Sequence, residues 1–346
     1  MLNALVSQLR TGAALAPAEI ENSVEHLTDP GIPVGDKAAF LSALAVKGET
    51  IGEIEAFARA LLRRAVAVPL DGSTRGREIL DVCGTGGDQL NTFNISTAVG
   101  FVAASAGLCV AKHGNRAITS KSGSADVLEA LGIRIDWSPE DAARVLRDHG
   151  FVFLFAPTYH PAFKNIGPAR RLCAEHNQRT IFNFLGPLLN PVRPTAQLVG
   201  VPRPDLCQPL ARVLQSLGVR RAMVVCGQVG DSCLDELSTL GDSTIAEFYQ
   251  GQGFALSQLS PTGFPLQNAA LADLAGGNKE ENALILTRVL TGLDRGPKRD
   301  AVLLNAGAAL FVGGKTRSIA EGWELAAQLI DTGLVIAKLD ALREVR

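Results

Sequence analysis

Aromatic residues are scarce in this chain, at 5% of 346 residues against 47% hydrophobic overall, so its core should be mainly aliphatic and alanine-rich. Charge of one sign is not in excess either: 33 basic and 35 acidic residues leave a formal net charge of −2. That gives no electrostatic footprint for nucleic acid or an anionic membrane. The six cysteines, at 83, 109, 173, 207, 226 and 233, show no Cys-x-x-Cys spacing. They read as reduced cytosolic thiols, not as a disulfide or zinc framework. No apolar run is long enough to cross a bilayer, and MLNALVSQLRTG at the start lacks the long apolar centre of a secretion signal. Repeats and low-complexity tails are missing too. A soluble cytoplasmic enzyme is the expectation that remains.

The chain is longer than one typical domain, which favours two lobes. Its first 66 residues read as wholly helical, with helices over 1–9, 17–27 and 34–46. A fourth begins at Thr50, where Thr50 and Glu53 form a capping box and Ile54, Phe57, Ala58, Leu61 and Leu62 share one face. The stretch 68–76, VPLDGSTRG, has the composition of a linker. From Ile79 onward short apolar strands (79–83, 108–111, 151–155, 198–201, 222–226) alternate with helices, one of them started by Ser138 and Pro139. Further helices are expected over 280–291, 299–310 and 318–331. This alternation argues for an α/β sheet with helices on its faces.

The most informative stretch is Asp81-Val82-Cys83-Gly84-Thr85-Gly86-Gly87-Asp88, followed by a helix predicted from Phe93. A buried strand, a glycine-rich turn and a helix N-terminus together make an anion site, because bare N–H groups and the positive helix end face an incoming phosphate. Asp88 beside phosphates needs a hydroxyl or a metal-bound water to hold, which points to a sugar phosphate. No Gly-Lys-Ser/Thr follows, so this is not a Walker loop, and the glycines are too close together for a dinucleotide fold. A second cluster strengthens the reading. Lys112, His113, Gly114, Asn115 and Arg116 are expected in one loop at a strand end, and 119–124 adds hydroxyls and Lys121 before a helix carrying Val127, Leu128 and Leu131. Alone, each lysine reads as a surface charge and His113 as a structural histidine; five polar functions at one strand end form a second phosphate cradle.

GTGGD at 84–88, TFNIST at 92–97, AKHGNR at 111–116 and SKSGSADVLEALG at 120–132 closely resemble the anthranilate phosphoribosyltransferases. The resemblance continues through YHPA at 159–162, RTIFN at 179–183, LGPLLNP at 185–191, LDE at 234–236 and RDAVLLNA at 299–306, and so covers nearly the whole chain. It implies an α/β fold with a small all-helical N-terminal domain and a large α/β domain whose central, mostly parallel sheet is flanked by helices. The helical domain would span 1–67, completed by a later helical segment, and the phosphoribosyl-pyrophosphate-binding domain 77–346. A homodimer formed largely through the helical domain is also implied.

The implied reaction displaces pyrophosphate from carbon 1 of 5-phosphoribosyl 1-pyrophosphate by the amine of anthranilate. It needs phosphate donors, magnesium and a pocket holding the amine in line. By resemblance, Gly84, Gly87, Asp88, Thr92, Asn94, Ile95, Ser96 and Thr97 line one side of the phosphoribosyl pyrophosphate site. Lys112, His113, Gly114, Asn115, Arg116, Ala117, Ile118, Thr119, Ser120 and Ser124 line the other. Asp235 and Glu236 match the family's acidic pair for Mg2+, with Ser96 as hydroxyl ligand. Arg170, ten residues after His160, matches the arginine that grips the anthranilate carboxylate, Asn115 matches a second contact, and Gly84 lies where the two substrates meet. No general base is assigned, since the anilinic nitrogen is already a free amine at neutral pH. Gln89 stands where many relatives carry glycine, and LCAEHNQ at 172–178 is longer than the family's usual connection. Two other readings stay open: a pyrimidine nucleoside phosphorylase of the same superfamily, and a non-catalytic nucleic-acid-binding relative, which should have lost the loop and acids and gained a basic face.

Overall fold

The structure, a computed structural model, describes residues 2–117, 121–249 and 252–345. Four helices open the chain: α1 (Leu2–Arg10), α2 (Pro17–Thr28), α3 (Val34–Lys47) and α4 (Ile51–Arg63). Each buries one stripe, as in α4 where Ile54, Phe57, Ala58 and Leu61 turn inward at helical spacing. The Thr50 hydroxyl accepts from the Glu53 amide (3.2 Å), and the Glu53 carboxylate accepts from the Thr50 amide (2.9 Å), so the capping box forms as read. Glu53 also accepts from the Leu15 amide at 2.9 Å and pairs with Lys47, so one buried carboxylate ties three segments of the lobe. Lys37 on α3 is 2% exposed. Its ammonium donates to the carbonyls of Asp29 (2.6 Å) and Asn165 (3.1 Å), joining the helical lobe to a segment from the middle of the chain.

Among the described residues eight strands form one sheet: β1 (Ile79–Gly84), β2 (Cys109–Gly114), β3 (Phe151–Phe155), β4 (Ala196–Gly200), β5 (Arg221–Val229), β6 (Ser232–Leu234), β7 (Ser243–Tyr249) and β8 (Gln252–Leu259). Their order is β3-β2-β1-β4-β5-β7-β8, with β6 also paired to β5. The first five run parallel; β6, β7 and β8 add antiparallel. Helices Ile95–Ser105 and Pro297–Val312 contribute to the apolar cluster on one face, while the helical lobe and helix Cys207–Ser216 contribute to the other. The fold class expected from the sequence is the one observed.

Three local expectations need correction. β2 does not stop at Ala111 but continues through Gly114, pairing with β3 up to Phe155, so Lys112 and His113 are strand residues and not loop residues. The helix expected from Phe93 starts at Ile95, because Phe93 is buried ahead of it with its amide bonded to the Leu274 carbonyl. The linker at 68–76 contains a short helix, Gly72–Arg75, whose Asp71 side chain accepts from the Thr74 amide.

Parallel β1 and β4 end side by side, with Gly84 opposite Gly200. The backbone of Asp235 crosses directly over both ends. A methyl group on Gly200 would lie 1.5 Å from the Asp235 carbonyl oxygen, and one on Gly84 would lie 2.3 Å from its carboxylate. Only glycine leaves room for this crossing. Gly200→Ala is therefore expected to force the 235 segment away and destabilise the fold by about 1–3 kcal/mol, read as a lower urea midpoint. An unchanged midpoint would mean that the crossing is loose.

Candidate active site

The site lies at the C-terminal ends of the parallel strands, where open α/β sheets place their ligands. Beyond β1 the chain turns with φ of +73° at Gly86 and +89° at Gly87. Gln89 and Asn91 also take left-handed backbone, at +61° and +53°. For glutamine that conformation costs about 1 kcal/mol, which a glycine at this position would avoid. The Gln89 side chain itself is exposed. Thr85 donates its amide to the Gly200 carbonyl at 2.9 Å, Gly86 donates to the Asp235 carboxylate at 2.7 Å, and Asp88 accepts from the Leu90 amide at 3.2 Å.

Helix Ile95–Ser105 has no side-chain cap from Asn94. Glu236 supplies one from across the fold, accepting from the Ser96 amide at 3.1 Å. Asn94 is occupied instead with Asn282 (3.0 Å) and the Ser122 carbonyl (3.4 Å). Thr92 bridges to Ala275, and Thr97 is buried in the first turn with an unpartnered hydroxyl. Lys112 is 1% exposed. Its ammonium donates to the Val82 carbonyl and, at 3.1 Å, to the Ser96 hydroxyl.

Asp235 and Glu236 both titrate above the usual carboxylate range. Burial is the main cause for each, reinforced by the Asp88 charge at Asp235 and by the Asp235 charge at Glu236; Lys112 opposes the shift at Glu236. Asp88, Asp235 and Glu236 share this corner, with one buried lysine beside them. Together with the Ser96 hydroxyl they offer hard oxygen ligands, a donor set that fits Mg2+. Among the described residues no three histidine, cysteine or acidic side chains form a ready-made metal cage. That agrees with a magnesium ion held by one or two carboxylates plus water and substrate phosphates.

The opposite wall is less cationic than the sequence implied. Gly114 ends β2, and Asn115 is exposed beyond it. Arg116 is drawn to Asp126 (3.1 Å) and Glu129 (2.5 and 2.8 Å) on helix Ser124–Ala130, and its guanidinium lies 5.5 Å from the Phe155 ring centroid. Ala117 donates to Asp126 at 3.0 Å, while the Ser124 hydroxyl reaches the Asn115 carbonyl at 3.5 Å. Ile118, Thr119 and Ser120 lie outside the described residues.

From β2 runs a train of rings. His113 meets His160 edge-on at 5.3 Å, His160 stacks on Phe163 at 4.9 Å, and Phe163 meets Phe182 edge-on at 5.7 Å. Arg170, on helix Gly167–Glu175, closes the train 5.5 Å from the Phe182 centroid. Burial lowers the Arg170 pKa, and among the described residues no acidic side chain pairs with it. A desolvated, unneutralised guanidinium beside flat rings is suited to an aromatic carboxylate. His113 is 9% exposed with its Nε2 unpartnered, and burial, then the neighbouring His160, pushes its pKa down to about 3.

Behind these groups sits Asp81, fully buried in mid-β1. It accepts from the Asn190 amide (2.9 Å) and the His113 backbone (3.3 Å), and burial raises its pKa to about 6. Asp81 and Asn190 had no assigned role in the sequence reading; the available signal was a lone carboxylate inside the apolar run ILDVC. A separate cavity of about 220 Å³, lined in part by Arg59, Arg63, Arg193 and Gln197, lies away from this chemistry, toward the opposite ends of β4 and β5.

Comparison with known proteins first gives the class. The glycosyl transferase family matches in both its parts, the helical bundle domain over residues 3–65 and the a/b domain over 76–336. Full-length relatives narrow this. Anthranilate phosphoribosyltransferase of Symbiobacterium thermophilum is 45% identical over 99% of this chain and 97% of its own. The crystal structure of that enzyme from Thermus thermophilus is 39% identical with a TM-score of 0.87, covering 98% of both chains. The Saccharomyces cerevisiae enzyme in complex with PRPP and Mg is 28% identical with a TM-score of 0.87, covering 99% of this chain and 97% of that one. The chain belongs to the anthranilate phosphoribosyltransferase family.

The His113 pKa has a testable consequence. Above its ordinary value of 6.5 both folded and unfolded states are neutral; below it the unfolded chain takes up a proton that the folded chain refuses. Stability is therefore present above pH 6.5 and lost as pH falls toward 3, at up to about 1.4 kcal/mol per pH unit. His113→Gln is expected to flatten the fall in denaturant midpoint between pH 6.5 and about 4. A parallel fall in both proteins would show that His113 is protonated in the fold.

Proposed function

We propose that this protein transfers the 5-phosphoribosyl group of 5-phospho-α-D-ribose 1-diphosphate to the amine of anthranilate, releasing pyrophosphate, in tryptophan biosynthesis. The observation carrying this reading is that neighbouring strands β1 and β2 lead into two unlike half-sites. One is a glycine turn and helix start beside three carboxylates; the other is a train of rings ending in the unneutralised Arg170. The yeast relative in complex with PRPP and Mg supports the first half.

Breaking the bond at ribose carbon 1 builds positive charge on the sugar and negative charge on pyrophosphate. In our reading the amides of Gly87 and Asp88, the start of helix Ile95–Ser105 and Ser124 hold phosphate oxygens, and Lys112 orients the Ser96 hydroxyl toward them. Asp235, Glu236 and Ser96 would hold Mg2+, which when bound neutralises the leaving pyrophosphate. Arg170 takes the anthranilate carboxylate, the rings hold its face, and Asn115 makes the second contact. The amine is thereby held in line with the ribose. His113, neutral and too weak a base at a pKa of about 3 to take the amine proton, would orient substrate through its open Nε2. Arg116 must leave Asp126 and Glu129 to reach a phosphate.

The same reading takes 1–67 as a helical domain completed by helix Gly167–Glu175, 77–346 as the α/β domain, and the protein as a cytoplasmic homodimer. Among the described residues no helix is long and apolar enough to cross a membrane. Val34, Val46 and Ile51, exposed on the helical lobe, are apolar surface that a dimer would cover.

Loss of anthranilate fluorescence in the presence of phosphoribosyl pyrophosphate and Mg2+ tests the activity, and no turnover by folded protein would overturn it. Arg170→Ala is expected to raise the anthranilate KM by about 10–100-fold while leaving that of phosphoribosyl pyrophosphate within about twofold. Equal effects on both substrates would make Arg170 structural. The double substitution Asp235→Asn with Glu236→Gln is expected to raise the Mg2+ concentration for half-maximal rate at least about tenfold, and an unshifted titration would remove both from the metal site.

A further inference from the structure

The conspicuous run at 299–306, Arg-Asp-Ala-Val-Leu-Leu-Asn-Ala, has no part in the chemistry above. It lies in helix Pro297–Val312, which is buried along almost its whole length. The helix start is anchored by Arg299 to Asp331 (2.9 Å) and by Asp300, which accepts from the Gln267 amide at 2.9 Å. Asn305 is different. It is 0% exposed and sits on an otherwise apolar stretch, so its amide needs partners within the core.

Those partners belong to the segment carrying the acids. The Asn305 carbonyl oxygen accepts from the Leu237 amide at 2.9 Å, and its amide nitrogen donates to the Leu237 carbonyl at 3.0 Å. The second amide hydrogen goes to the Ala301 carbonyl at 3.0 Å, which fixes the rotamer. Leu237 follows Glu236 directly, and its own side chain is buried. One residue further, the Ser238 amide donates to the Ser243 hydroxyl at 3.0 Å. The acids are thus held from two sides: by the glycine strand ends beneath Asp235, and by Asn305 gripping both polar groups of the next residue. The charges of Asp88 on Asp235 and of Asp235 on Glu236 work against this geometry.

We propose that Asn305 is a positioning residue for the metal-binding acids: its two hydrogen bonds to Leu237 hold Asp235 and Glu236 in the geometry that receives Mg2+ with the pyrophosphate. This rests on the assignment of Asp235 and Glu236 as metal ligands. Asn305→Leu keeps the branched shape, though bulkier, and leaves both polar groups of Leu237 unpaired; Asn305→Ser is the milder change. Mn2+ serves as the probe, its binding in the presence of phosphoribosyl pyrophosphate followed by electron paramagnetic resonance. The expected result is Mn2+ affinity weakened about tenfold or more in Asn305→Leu and several-fold in Asn305→Ser. The anthranilate KM at saturating Mg2+ should stay within about twofold, a split that general destabilisation would not produce. Mn2+ affinity within about twofold of the parent in either folded variant overturns the proposal. So does rapid hydrogen exchange at the Leu237 amide of the parent protein, a measurement that requires no variant to fold. Asp235→Asn with Glu236→Gln separates the two ideas. If that pair weakens Mn2+ binding and the Asn305 variants do not, only the positioning role fails; if the pair has no effect, the assignment of the ligands fails first.

Discussion

Everything at the strand ends depends on one crowded crossing, the passage of the Asp235 backbone over Gly84 and Gly200. It draws carboxylates against a turn that carries a carboxylate of its own, and the buried Lys112 opposes part of their charge. In our reading the same crowding favours an oxygen-rich, multiply charged ligand, because a metal arriving with phosphates would relieve the repulsion.

Lys112 shows how polar residues are used in the interior here. A lysine at 1% exposure is expensive unless its donors are spent, and it spends them on the Val82 carbonyl and the Ser96 hydroxyl. It thus joins β1, β2 and the first turn of helix Ile95–Ser105 while supplying charge to the acids. Asp81 and Asn190 do the same a layer deeper, linking β1 to the backbones of His113 and Ala111 and so stiffening the strand that carries His113. Architecture and electrostatics share the same atoms.

Much of the fold was legible in the sequence, for identifiable reasons. The helical lobe announced itself through 3.6-residue periodicity and the Thr50–Glu53 box, and the parallel strands through short apolar runs ending in glycine. The antiparallel strands β6, β7 and β8 were not seen, since β6 has three residues and β8 lies mostly exposed, so neither carries a strong apolar signal. Lys112 and His113 read as loop because polar residues at a strand end resemble a loop until their buried partners are known. The pairing of Arg116 with Asp126 and Glu129 was equally hidden, as sequence spacing does not say which partner a long cation prefers. Asn305 stands in a recognisable motif without a visible task, because the segment that it grips is 68 residues away.

Lys37 carries an implication for building new proteins from this one. By holding the Asn165 carbonyl from within α3, it makes the approach to helix Gly167–Glu175 part of the helical lobe's own framework. A chimaera that exchanged residues 1–67 alone would therefore graft a foreign support beneath a native arginine. Recombination that respects this join must move α3 and the 161–175 segment together as one cassette, with crossovers on both sides of each. Phe163 and Arg170 would then travel with the cassette, and the sheet, glycine turn and acids could stay in place.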